Sequence, residues 1–251
     1  EKEAFIDSAS WYNVVKTWSI EGVLATFYQE YAEFKGKRIW GDKTPLYLIH
    51  LPLLYQLFPT SKVIHIIRDP RDYCISVNAV WGKNIYRAAQ SWADCVHQCR
   101  CAGFQYGKTR YCEVNYESLT DFPVHNLKKL CRFLNVDYQE GMLHLKTPSE
   151  EIGDAKGATS IVKNNYGKWK KRLKTSQILK IEKICCNVMQ TLDYPCGYKG
   201  MAESLSPVEL WTYKLMDGVN LALSEYNEYK NILSLSKAMS YARKVSASRQ
   251  L

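Results

Sequence analysis

Arg68 stands at a junction where an arginine can hold an anion, between the run Val63-Ile64-His65-Ile66-Ile67 and the turn Asp69-Pro70-Arg71-Asp72. The apolar, β-branched run has the length and content of a strand buried on both faces, as in a parallel sheet. The residues after it open a helix. Asp69 can cap it, Pro70 has the fixed φ of a first helical position, and Asp72 adds negative charge near the positive end of the helix dipole. The Arg68 guanidinium therefore falls at the carboxyl edge of a strand, where open α/β sheets bind their ligands, and its fork fits the oxygens of a phosphate. A local alternative pairs Arg68 with Asp69 or Asp72 at the helix start, leaves Arg71 exposed, and has Ser76 bond back to a helix carbonyl. Lys163, Lys168, Lys170, Lys171, Arg172 and Lys174 form the densest basic run. Taken alone, such a run is more commonly a solvated face.

These side chains need a scaffold of alternating helices and strands. Apolar residues at three- and four-residue steps predict a helix over 17–34, closed by Lys35-Gly36-Lys37. A short strand is expected over Arg38 to Gly41, then a helix over Leu46 to Phe58, then the strand and helix around Arg68. Further helices are expected over 84–106, 122–134 and 175–192, with a strand over Arg110 to Asn115 and a polar loop over Ser149 to Ser160. The order implies an α/β fold, a parallel sheet flanked by helices with right-handed crossovers. It occupies residues 1–200, and residues 201–251 form a helical extension, helical over 206–247, that docks on the core or on another subunit, with a homo-oligomer through these helices as one expectation.

Composition narrows the partners. The chain has 251 residues, 46% hydrophobic and 24% charged, ordinary for a globular protein able to bury a core. No apolar run approaches the ~20 residues needed to cross a bilayer. Lysine and arginine exceed aspartate and glutamate by 34 to 25, a net charge of +9 that favours anionic ligands. Nucleic acid is disfavoured, because no basic helix flanked by stacking aromatics, zinc-finger spacing or RNP-like strand is present. The nine cysteines are irregularly spaced and read as small buried hydrophobes, with no paired CxxC spacing for a metal. Reduced thiols in a cytoplasm are the default, and secretion or a Golgi lumen with one or two disulfides is the alternative.

Four ordered blocks carry a resemblance. They are Gly41-Asp42-Lys43-Thr44-Pro45, Arg68-Asp69-Pro70-Arg71 with Ser76 eight residues after the first arginine, Tyr116-Glu117-Ser118-Leu119, and Lys163 to Lys170. Together they resemble the sulfotransferases that use 3′-phosphoadenosine 5′-phosphosulfate (PAPS), in particular the bacterial, heparan and tyrosylprotein branches. The resemblance implies a P-loop-like α/β fold and transfer of a sulfuryl group to a hydroxyl or amine of a carbohydrate, glycolipid or peptide, without a metal. It implies that Arg68, Ser76, Lys163 and Lys168 face the 3′-phosphate, that Tyr116 lies beside the adenine, and that Lys43 neutralises charge on the leaving phosphate oxygen. Tyr194 to Tyr198 resembles the end of the family's last core helix.

The family's 5′-phosphosulfate loop, a Ser-Gly-Thr-rich turn between strand and helix, is not found upstream of Lys43, and GxxxxGK[ST] is absent from the sequence. The expectation is that the chain begins downstream of that loop, and that the general base lies upstream with it. Of His50, His65, His97, His125 and His144, none falls in a catalytic motif; His50 is a weak candidate and His65 reads as core. A catalytically silent domain that binds 3′-phosphoadenosine nucleotides or acidic glycans is the alternative. A nucleotide kinase is a more distant one, for want of a Walker A motif and a magnesium-holding acid.

Overall fold

The computed structural model describes residues 14–145, 147–148 and 152–223. The elements in order are α1 (Ile20–Phe34), a 3-10 turn (Pro45–Ile49), α2 (Leu51–Leu57), β1 (Val63–Ile67), α3 (Pro70–Trp81) and α4 (Ile85–Gln105), then β2 (Tyr111–Asn115), α5 (Tyr116–Asp121), α6 (Pro123–Leu134), a second 3-10 turn (Glu140–Leu143), α7 (Trp169–Arg172) and α8 (Thr175–Gln190). A further helix, α9, runs over 207–223. β1 and β2 pair as a small parallel sheet, so the α/β class read from the sequence is the observed one. The chain divides into two compact units, the described residues of 1–63 with 98–111, and those of 64–97 with 112–251.

In the first unit, Leu51, Tyr55, Cys99, Ala102 and Tyr111 are buried together. The Tyr55 hydroxyl donates to the Arg110 carbonyl at 3.0 Å, and the Arg110 guanidinium lies over the Tyr55 ring at 4.3 Å. Burial is the main cause that pushes this phenol up to about 12. Two expectations need correction here. Residues 38–41 form no strand, since no strand runs beside them among the described residues and a lone extended segment leaves its backbone groups without a ladder. Trp40 is held by side chains instead, stacked on Tyr28 at 4.7 Å and edge-on to Phe58 at 6.0 Å. The helix expected over Leu46 to Phe58 is broken at His50 into a 3-10 turn and α2. Pro52 has no N–H to donate to the preceding turn, so it fits the start of a helix and not its middle.

In the second unit, α4 and α8 face each other across Ala89, Trp92, Val96, Ile181, Cys185 and Met189, with Ile67 of β1 in the same cluster. β1 is not buried on both faces as its composition implied. His65 and Ile67 point into the core, whereas Ile66 is 52% exposed, because alternate residues face opposite ways and one face is covered. The segment after residue 200 docks on this unit. The Leu205 N–H donates to Gln90 at 2.9 Å, Lys180 pairs with Glu209 at 2.8 Å, and Asp217 accepts from Arg87 and from the Asn84 N–H. The part of the expected helix beyond residue 223 lies outside the described residues.

One buried network ties three parts of the second unit. Arg71, which the local alternative leaves exposed, is 2% exposed. Its guanidinium donates to both Asp69 oxygens, at 2.9 and 2.6 Å, and to Glu182 of α8 at 2.7 Å. It also lies over the Trp169 ring at 3.8 Å. The second Glu182 oxygen accepts from the N–H groups of Gly197 and Tyr198 at 2.8 and 3.0 Å. A buried charge with fewer partners would be costly, and here every charge has an opposite charge and further hydrogen bonds.

Two substitutions test these contacts. A Cβ added at Gly103 would lie 2.4 Å from the Tyr111 ring, so Gly103→Ala is expected to lower stability by about 1–3 kcal/mol through overpacking, read as a lower urea midpoint. Arg71→Met strands the Asp69 and Glu182 carboxylates and is expected to cost about 3–5 kcal/mol by the same measurement. A midpoint within error of wild type would remove the network from any structural role.

Candidate functional site

The carboxyl ends of β1 and β2 lie side by side, and the loop over 163–169 closes on them. Asp69 caps α3 by accepting the Arg71 N–H at 2.8 Å, as its sequence position implies. The Asp69 N–H in turn donates to Glu117, just past β2, at 2.9 Å. The other Glu117 oxygen accepts from the Tyr194 hydroxyl at 2.9 Å. Burial pushes the Glu117 carboxyl up, while these two donors oppose the rise. Burial also raises the Tyr194 phenol, and the Glu117 charge adds to it.

Arg68 is turned away from the acids of the helix start. It donates to the Asn165 carbonyl at 3.0 Å and its guanidinium lies over the Tyr116 ring at 4.7 Å. Its Nε is buried and makes no hydrogen bond among the described residues. The helix-start ion pair of the local alternative belongs to Arg71. The Trp92 indole donates to the Arg68 carbonyl at 3.1 Å and fixes the backbone at this point.

The basic loop is pinned from several sides. Asp72, fully buried, accepts from the N–H of Gly167 and, at 3.0 Å, from that of Trp169. Gly167 has φ of +71°, a conformation glycine adopts without a Cβ penalty. The Tyr166 hydroxyl donates to Asp121 at 2.6 Å. Asn165, 6% exposed, donates through Nδ2 to the Tyr116 hydroxyl at 2.9 Å and accepts the Lys168 ammonium on Oδ1 at 2.6 Å. Lys168 also pairs with Asp154 at 2.6 Å, and this contact is the main cause that lowers the Asp154 carboxyl, with Arg172 and Arg68 contributing.

Of the residues singled out from the sequence, Arg68, Tyr116 and Lys168 meet around Asn165. Ser76 is half-buried on α3, and among the described residues its hydroxyl makes no hydrogen bond, neither to a helix carbonyl nor to this cluster. Lys163 is exposed at the start of the loop. Lys43 belongs to the first unit, exposed next to Asp42. Asp42 accepts from Thr44 at 3.0 Å and from the Tyr47 hydroxyl at 2.5 Å, and the Tyr47 bond is the main cause that holds its carboxyl below the usual range. His50 sits at the break between the 3-10 turn and α2. Asn165 and Asp72 were not identified as site residues from the sequence. An uncharged asparagine in a lysine-rich loop gives no local signal, and Asp72 reads as a helix-dipole residue until its partner loop is seen.

Chemically, the cluster offers two cations and an aromatic ring around a buried amide, with an unpartnered guanidinium nitrogen. That donor set fits a phosphate ester attached to a flat base. Among the described residues, no three of His, Cys, Asp and Glu are grouped to hold a metal ion, and no helix is long and apolar enough to cross a membrane.

Comparison with known proteins bears on the family. Two solved structures share the fold. One is the sulfotransferase domain from the curacin biosynthetic pathway, with 22% identity, a TM-score of 0.52 and 69% of each chain covered. The other is the sulfotransferase domain from the olefin synthase of Synechococcus PCC 7002, with 24% identity, a TM-score of 0.54, and 70% of this chain and 67% of that one covered. No curated protein sequence matches this chain. The model of the sulfotransferase family matches residues 13–140, just over half of the 251 residues and including the Lys43, Arg68, Ser76 and Tyr116 positions. The chain belongs to the sulfotransferase family.

Proposed function

We propose that this chain binds the 3′-phosphoadenosine end of PAPS and takes part in transfer of its sulfuryl group to a hydroxyl or amine acceptor, a carbohydrate, glycolipid or peptide. The observation that carries this reading is the cluster in which Arg68, Tyr116 and Lys168 converge on Asn165 at the carboxyl end of β1. Arg68 and Lys168 supply charge for the 3′-phosphate, and the Tyr116 ring supplies a face for the adenine. Ser76 and Lys163 complete the phosphate site in this proposal, Ser76 with a hydroxyl not engaged among the described residues.

PAPS supplies an activated sulfuryl group, and transfer is an in-line displacement by the acceptor oxygen or nitrogen. By analogy with phosphoryl transfer, placement and electrostatics supply most of the catalysis. Lys43 has the role of neutralising charge on the leaving oxygen. Asp42, held by Thr44 and Tyr47, fixes the turn from which Lys43 projects. Nine free cysteines fit a compartment that keeps thiols reduced, such as the cytoplasm.

Calorimetric titration with 3′-phosphoadenosine 5′-phosphate tests the reading. Wild type is expected to bind, and Arg68→Ala to bind about 10- to 100-fold more weakly, the worth of a charged hydrogen-bonding partner. No binding, or binding indifferent to the substitution, overturns it. Transfer of labelled sulfate from PAPS then separates an enzyme from a silent binding domain, and Lys43→Ala is expected to remove transfer while leaving nucleotide affinity within about threefold, since its charge matters most in the transition state.

A further inference from the structure

We infer that Asn165 is the positioning residue of the 3′-phosphate site: its side-chain amide sets the Tyr116 ring and the Lys168 ammonium beside the Arg68 guanidinium, which its backbone carbonyl holds, before the nucleotide arrives. The inference rests on the nucleotide reading above and goes beyond it by assigning the alignment to an uncharged residue that would not itself need to supply charge. Three bonds carry it. The Asn165 backbone carbonyl accepts from Arg68 at 3.0 Å, the side-chain Nδ2 donates to the Tyr116 hydroxyl at 2.9 Å, and the side-chain Oδ1 accepts from Lys168 at 2.6 Å. These partners come from three places in the chain: the β1 to α3 turn, the start of α5 just past β2, and the basic loop.

An asparagine suits this place because its amide donates and accepts at once. The Tyr116 oxygen needs a donor here and the Lys168 ammonium needs an acceptor. A carboxylate would serve Lys168 but would set a second negative charge beside the arriving phosphate. At 6% exposure the amide is out of competition with water, so its bonds are directional constraints more than additions to affinity. The residue is itself held in place, since Asp72 fixes the backbone at Gly167 and Trp169 two and four residues later. Lys168 has a second partner in Asp154, on an exposed loop. A phosphate displaces that carboxylate readily, whereas the Asn165 contact keeps the ammonium aimed.

The consequence is selectivity. Lys168 is aimed at the anion that Arg68 meets only while the Asn165 amide holds it, so loss of the amide should cost recognition of the 3′-phosphate more than recognition of the adenosine, while the backbone carbonyl that holds Arg68 survives the substitution. The test titrates wild type and Asn165→Ala with 3′-phosphoadenosine 5′-phosphate and with adenosine 5′-monophosphate, which lacks the 3′-phosphate. Asn165→Ala is expected to weaken the first by about 10-fold or more and the second by less than about threefold, so that the ratio of the two affinities falls. A residue with a merely structural role would weaken both alike. In a Lys168→Met background, Asn165→Ala is expected to cost less than in wild type, because the two residues act as a unit.

If Asn165→Ala does not fold, as judged by its urea transition, Asn165→Asp carries the same comparison with the same fall in ratio expected. An unchanged ratio with wild-type binding intact and Arg68 still required overturns the role of Asn165 and leaves the nucleotide reading standing. Absence of nucleotide binding by wild type overturns both.

Discussion

A guanidinium taken out of water has to be met by opposite charge, and Arg71 meets it from two elements at once, Asp69 at the start of α3 and Glu182 in α8. A buried ion pair is poor evidence of net stability, because the desolvation of its members offsets much of their attraction. What it does supply is a fixed distance between elements far apart in sequence. The Trp169 ring lies on the guanidinium face. The position of the basic loop therefore depends on the same side chain that joins α3 to α8.

The neighbouring acid extends the same logic. Asp72 directs its carboxylate at the backbone of the loop, to Gly167 and Trp169. Asp69 and Asp72 together thus neutralise and orient, and Arg68, the one arginine of the motif left out of these acids, is directed to Asn165 and Tyr116. The division of labour between two arginines three residues apart follows from helix geometry. Arg71 has entered the first turn and shares its space with the cap, while Arg68 precedes the cap and lies at the strand end, where ligands of α/β sheets bind.

The sequence made the scaffold legible wherever a local rule governs. Asp69 as a cap, Pro70 at the first helical position, the alternation of strand and helix, and the helices over 84–106 and 175–192 follow from propensity and periodicity, which tertiary contacts reinforce. Legibility failed where the deciding partner is remote. Nothing near Arg71 in the sequence announces Glu182, more than a hundred residues on, so the local signals allow an exposed side chain. Trp40 looked like part of a strand because apolar content alone cannot tell a ladder from a stacked aromatic. Pro52 was a local signal, and its missing N–H accounts for the break at His50. In the candidate site the charged and aromatic members, Arg68, Tyr116 and Lys168, were legible because their chemistry is distinctive. Asn165 was not, because its contribution lies in geometry.

The central claim is that the carboxyl end of β1, with Arg68, Tyr116 and Lys168 around Asn165, receives a 3′-phosphorylated adenosine. The most direct measurement is a crystal structure of the chain with 3′-phosphoadenosine 5′-phosphate. The account predicts the 3′-phosphate within hydrogen-bonding distance of Arg68 and Lys168, with Lys168 released from Asp154 and the adenine against Tyr116. A nucleotide bound elsewhere, or one whose 3′-phosphate touches neither cation, would contradict it.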